Sequence, residues 1–350
     1  MTTPSELLDE LEARDPLLKF AILGLENIGL NPLETTKKTL IKRFIYFVSV
    51  AIPFILLFWS IIDHRGNVRY LNMDVYSPTQ QILFKFLFIL YLRKNVGKVM
   101  KGIVISWPDN IFGKKLENEI KKTKNDYIQL YRKYRVVIWG TVFIYTIKAP
   151  ISLYKVPLFV WHQLFDGENY KLMVLNVIFQ QYYIIVVGYS LIAYDALFFA
   201  LMSHCYTQFQ AIKHAFESLD YDADEYVLYK KFSDIVKHHG FILETINDVN
   251  RIFSIQLLNH FFTVMISLCS GIFLLNLNGF PPSFESILTY IPYLACYHFQ
   301  LYLYCAKGQD ISEQVNFSFF VLYCGYRIRD GAQYFKFIYI FQLTFILFFI

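Results

Sequence analysis

Residues 194–214 read YDALFFALMSHCYTQFQAIKH, and they place a carboxylate where hydrocarbon is expected. Asp195 is the only formal charge in Leu172–Ser203, a run of 32 residues, and His204 follows it nine positions later. A helix needs about 20 largely apolar residues to cross a hydrocarbon layer roughly 30 Å thick. The run therefore has the length of a membrane span with a polar lower end. Its single acid requires a partner or a wet environment.

Working outward, the composition agrees. The chain has 350 residues, 55% hydrophobic and 19% aromatic, and its charged share of 17% lies below the roughly 25% of soluble domains. The fold class is all-α, a polytopic membrane protein. Phe44–Ile62, Ile252–Leu277 and Ser286–Ala306 contain no Asp, Glu, Lys or Arg, and Val136–Tyr154 contains only Lys148. A further span over Asn72–Leu92 is interrupted by Lys85. The last run, Phe337–Ile350, has 14 residues, so as a helix it reaches only about 21 Å and falls short of a crossing.

Orientation follows from the basic residues. Arg93–Arg135 carries 12 Lys or Arg against 4 Asp or Glu, and Lys37, Lys38, Lys42 and Arg43 crowd the start of the first span. Both segments belong in the cytoplasm by the positive-inside rule, which puts the amino terminus inside. A G-protein-coupled receptor, with its amino terminus outside, is excluded on that ground. The opening MTTPSELLDELEARD is acidic and lacks the apolar core of a secretory signal. The basic segment reads as a solvated extension of its neighbouring helices, with no nucleic-acid partner.

Catalytic and metal chemistry find no foothold. The five cysteines have no CxxC spacing, His238–His239 is the only histidine pair, and the GxSxG, HExxH and Gly-rich phosphate motifs are absent. We expect no enzyme, no metal and no cofactor. From Ser203 to Arg251 the apolar residues recur at helical spacing, and the segment YVLYKKFSDIVKHHGFILETINDVNRIFSIQLLNHFF enters the fifth span with no turn signal besides Gly240. This predicts long helices that project below the membrane, stalks suited to packing between subunits.

Three segments carry a family resemblance. YDALFFALMSHCYTQFQAIKHAFESL resembles the end of the fourth helix of insect odorant receptors, IVKHHGFILETINDVNRIFSIQLLNHFFTVMISLC their following segment, and LYLYCAKGQDISEQ the end of their sixth helix. The similarity covers about Leu7 to Gln314. It implies a seven-helix odorant receptor architecture with a cytoplasmic amino terminus and an intracellular helical anchor. It also implies a tuning subunit that binds volatile small molecules and gates a non-selective cation channel in a hetero-tetramer with a co-receptor. The implied location is the plasma membrane of olfactory sensory neuron dendrites. A gustatory receptor-type channel and a small-solute transporter are the alternatives, although paired intramembrane charges or an inverted repeat, which a transporter would need, are not evident.

The resemblance divides the chain into a cytoplasmic segment 1–43, helices one to six over 44–306 with extensions at 93–135 and 204–251, and a cytoplasmic linker with a partial seventh helix over 307–350. After Gln314 the similarity breaks, so the last helix is expected to be incomplete. The ligand-facing candidates are Phe84 and Phe88 on the second helix, Tyr145 on the third, Tyr182 and Tyr183 on the fourth, and Tyr290 and Tyr293 on the sixth. A volatile ligand gains mainly from apolar burial, with one or two polar groups to orient it. Asp195, His204, His238 and His239 are assigned to the anchor. About 20 residues counted from Leu172 put the inner membrane boundary near Leu191, so Asp195 is expected at the cytoplasmic interface, paired with a base or capping backbone.

Overall fold

A computed structural model describes residues 4–33, 36–62, 73–151, 170–220, 222–277 and 279–327. Its regular structure is helical throughout: α1 (Pro4–Arg14), α2 (Pro16–Asn27), α3 (Lys37–Ile62), α4 (Met73–Tyr91), α5 (Arg93–Ile105), α6 (Lys114–Ile151), α7 (Tyr170–Glu217), α8 (Glu225–Asn276) and α9 (Phe284–Arg327). Among the described residues, three helices are long and apolar enough to cross a membrane: Lys37–Phe58, Val177–Glu217 and Glu225–Asn276.

The helix that holds Asp195 is the axis of the molecule. It packs against α2, α6, α8 and α9, and every residue from Ser190 to Cys205 is buried. A helix that is apolar all round belongs inside, and small residues let its neighbours come close. Gly24 of α2 sits so tightly on Ala193 that a Cβ added there would lie 2.7 Å from the alanine Cβ. On α6 the buried residues Tyr127, Tyr131, Tyr134, Ile138 and Tyr145 recur every three, four or seven positions and form one stripe. Tyr131 and Tyr134 set their rings against Phe199 of α7.

The amino-terminal pair locks onto this axis. Asp15 is extended at φ −150° and ψ 115°, its side chain accepts from Leu17 N, and Pro16 follows at the first helical position. That is a well-formed N-cap for α2. The preceding Arg14 donates to the carbonyl oxygens of Val104 at 2.7 Å and Ser106 at 2.9 Å. It thereby satisfies carbonyls at the end of α5, which otherwise have no partner in their own helix.

Within Ser203–Arg251 the long helices expected are two, α7 continuing to Glu217 and α8 running unbroken for 52 residues from an Asp224 cap. One expectation changes. Residues from Lys307, read as the start of a linker, continue α9 to Arg327, because Leu303, Ile311 and Val315 keep the apolar periodicity going and are buried. Residues 328–350, where the incomplete seventh helix was expected, lie outside the described residues.

Candidate functional site

Asp195 is fully buried, and three neighbouring helices, α4, α6 and α9, supply its partners. Lys85 of α4 donates to Oδ1 at 2.6 Å, Tyr304 of α9 donates to the same oxygen at 2.5 Å, Gln300 of α9 donates to Oδ2 at 2.7 Å, and Tyr134 of α6 also donates to Oδ2. An ionised carboxylate offers about four acceptor positions, so this one is saturated. Its helix does not leave the protein interior near Leu191 but stays buried through Cys205. Pairing with a base does occur. The base is Lys85, the lysine that interrupted the second span, 3% exposed.

A small cavity opens directly beside this node. It encloses about 80 Å³ between α4, α6, α7 and α9, with nearly all of its wall apolar. Each helix contributes one face at three- to four-residue spacing. Ile138, Thr141, Val142 and Tyr145 come from α6, and Tyr183, Val187, Gly188 and Leu191 come from α7. From α9 come Tyr293, Cys296, Tyr297 and Gln300, and α4 adds Val75 and Pro78. Gly188 keeps the α6–α7 wall thin, since a Cβ there would meet Val142 Cγ2 at 2.5 Å.

Of the candidates named from sequence, Tyr145, Tyr183 and Tyr293 line this cavity, and Phe84, Phe88, Tyr182 and Tyr290 do not. The reasons are rotational. Tyr182 adjoins Tyr183 but points about 100° away from it on the helix, is 48% exposed and lies 3.5 Å from Ser49 Oγ. Phe84 and Phe88 stack on each other at 5.8 Å on a half-buried face of α4, whereas its buried face carries Ile82, Lys85, Phe86 and Ile89. Tyr290 is buried one turn away from the void.

The sequence reading missed Gln300, Tyr297, Thr141 and Val142. Thr141 and Val142 were within reach, because they precede Tyr145 by four and three residues.

The histidines occupy a separate region. His238 bonds Gln208 at 2.9 Å and stacks on Trp107 with ring centroids 3.8 Å apart. His239 bonds Ser318 at 3.0 Å. His204 is buried, and its Nε2 has no hydrogen-bond partner among the described residues. No group of three metal-ligating side chains occurs among the described residues.

The profile of a family described as 7tm Odorant receptor matches residues 71–317. The chain belongs to this odorant receptor family. As a member, it is a multi-pass membrane protein of the receptor class and not an enzyme. Odorant receptor 22c of Drosophila melanogaster is 36% identical over 83 residues, which is 24% of this chain and 20% of that protein. The matched stretch thus spans only a fifth of the curated relative's length.

The insect olfactory receptor OR5 from Machilis hrabei superposes with a TM-score of 0.73 at 14% identity, covering 97% of this chain and 91% of that one. The same receptor in complex with eugenol gives 0.72 at 16% identity, covering 87% of this chain and 82% of that one. At these identities the likeness establishes the odorant receptor fold.

Proposed function

We propose that this chain is an odorant-binding subunit that holds small volatile molecules in the cavity between α4, α6, α7 and α9. We further propose that, together with a co-receptor, it gates a non-selective cation channel. The observation that carries the reading is the cavity itself: a partly open, nearly apolar void at a four-helix junction, in a member of the odorant receptor family and with the fold of OR5, which has been solved in complex with eugenol. Tyr145, Tyr183 and Tyr293 bind ligand in this reading. Phe84, Phe88, Tyr182 and Tyr290 act from outside the wall.

The amino terminus and the basic Arg93–Arg135 segment face the cytoplasm of an olfactory neuron, in the plasma membrane of its dendrites. His204, His238 and His239 belong to an intracellular anchor through which subunits meet. Binding draws on burial of apolar area, worth about 25 cal/mol per Å². An apolar cavity of about 150 Å³ holds benzene, so about 80 Å³ fits a short aliphatic chain or requires the walls to part for a ring.

The test is co-expression with a co-receptor in oocytes, with currents recorded against a panel of volatiles. Val142→Phe, which fills the void, is expected to abolish responses while surface labelling stays at the wild-type level. Full responses from that variant would refute the assignment of the cavity.

A further inference from the structure

The saturation of Asp195 fixes more than its own charge. Among the described residues Gln300 makes one side-chain hydrogen bond, from Nε2 to Asp195. An ionised carboxylate can only accept, and three other donors already hold Asp195, Lys85 and Tyr304 on Oδ1 and Tyr134 on Oδ2. The carboxamide of Gln300 therefore cannot turn over, since the flipped form would set two acceptors against each other. Its Oε1 is left at the other end of a residue that lines the cavity. That oxygen has no donor among the described residues and is not one of the sealed-off unpartnered atoms. It faces the void.

Two other lining hydroxyls, those of Thr141 and Tyr183, have their protons committed. Thr141 donates to the carbonyl of Val137 at 3.0 Å. Thr79 donates to the carbonyl of Val75 at 2.7 Å, so in the Thr79–Tyr183 contact the proton comes from Tyr183. In a wall that is nearly all apolar, Oε1 of Gln300 supplies a fixed acceptor.

We infer that Gln300, held by Asp195, makes this cavity select small apolar molecules that carry a hydrogen-bond donor, alcohols above all, over ethers and hydrocarbons of the same size. An alcohol buries its chain against Val142, Val187 and Leu191 and donates to Oε1. An ether of equal volume cannot donate to Oε1, and the loss of such a buried bond amounts to roughly ten-fold in affinity. Gln300 is the specificity group, and Asp195 is the positioning residue behind it.

This inference depends on the odorant-binding reading, and three probes separate the two. The full-length receptor in lipid nanodiscs is titrated with pentan-1-ol, its isomer butyl methyl ether, and hexane, with affinity read from the ligand-dependent rise in unfolding temperature. The expected order is pentan-1-ol tightest by roughly ten-fold, with the gap closing toward unity in Gln300→Met and persisting in Tyr293→Phe. Equal binding of the ether and the alcohol by the wild type overturns the inference and leaves the binding reading standing. Binding of none of the three overturns both. A gap that persists in Gln300→Met but closes in Tyr293→Phe moves the role to Tyr293 and also overturns the inference. The wild-type comparison decides even where Gln300→Met fails to reach the membrane.

Discussion

Helices α3 and α7 are both long apolar spans, yet 22% of the apolar window of α3 is buried within the chain against 83% of that of α7. On α3, Phe44, Ile45, Ile52 and Ile55 face outward. In lipid such a face needs only to be greasy. On α7 each residue from Ser190 to Cys205 has protein neighbours, so shape and polarity are both constrained there, and the one acid in that stretch is fully partnered. Hydropathy finds both helices but does not say which is the wall and which is the axis. That distinction comes from small residues, as at Gly24 against Ala193, and from charges that need one another.

The comparison can be broken most directly at the charge pair. Lys85→Ala leaves Asp195 buried without its cation, which typically costs about 3–5 kcal/mol. The expected result is near-complete loss of surface expression.

A second test lies where the α2 cap meets α7. Burial pushes the Asp15 carboxyl up to about 6, against 3.8 for the free group, with Ser203 of α7 among its contacts. The folded chain therefore holds this proton more tightly than the unfolded chain does. The stabilisation is complete below about pH 4 and is lost as pH rises through about 6, up to about 3 kcal/mol in all. Asp15→Asn keeps the capping oxygen and removes the titration, so it should unfold at a higher temperature than wild type at pH 7.5 and lose that advantage at pH 4.

Third, Gly24→Leu forces side-chain atoms into Ala193. It should destabilise by about 1–3 kcal/mol, seen as a lowered unfolding temperature in detergent. The smallest effect is expected on α3, where Ile55, 62% exposed, changed to alanine should shift stability by no more than about 0.5 kcal/mol. An Ile55→Ala loss as large as that of Gly24→Leu would show that α3 also has a packed partner.

Much of this architecture could be read from the residues. The uncharged runs became α3, the apolar part of α8 and the first half of α9, and the unbroken pattern from Glu225 became one helix. The rotation of α4 was harder. Its aromatic residues drew the eye to Phe84 and Phe88, whereas Lys85 sets the inward face, and only the knowledge that Lys85 meets Asp195 would have shown it. A lone acid in one span and a lone base in another were the available signal. Gln300 gave none, because a glutamine in an apolar helix declares neither its partner nor which end of its amide is spoken for. Tyr145, Tyr183 and Tyr293 could be named since aromatic residues facing a helical junction are frequent. Their unhelpful neighbours differ from them in placement alone: Tyr182 from Tyr183 in angle, and Tyr290 from Tyr293 by a turn along the helix.

At 1.5 Å per residue, the 52 residues of α8 form a lever roughly 78 Å long. A pivot of about 5° near its middle would swing each tip by roughly 3 Å. The clasp of Lys98 on Glu244 at 3.0 Å and on Asp248 at 2.8 Å ties α5 to the amino-terminal half of that lever. Both acids lie within about 10 Å of the pivot, so the same rotation would move them by less than about 1 Å and leave the clasp fastened while the tips swing.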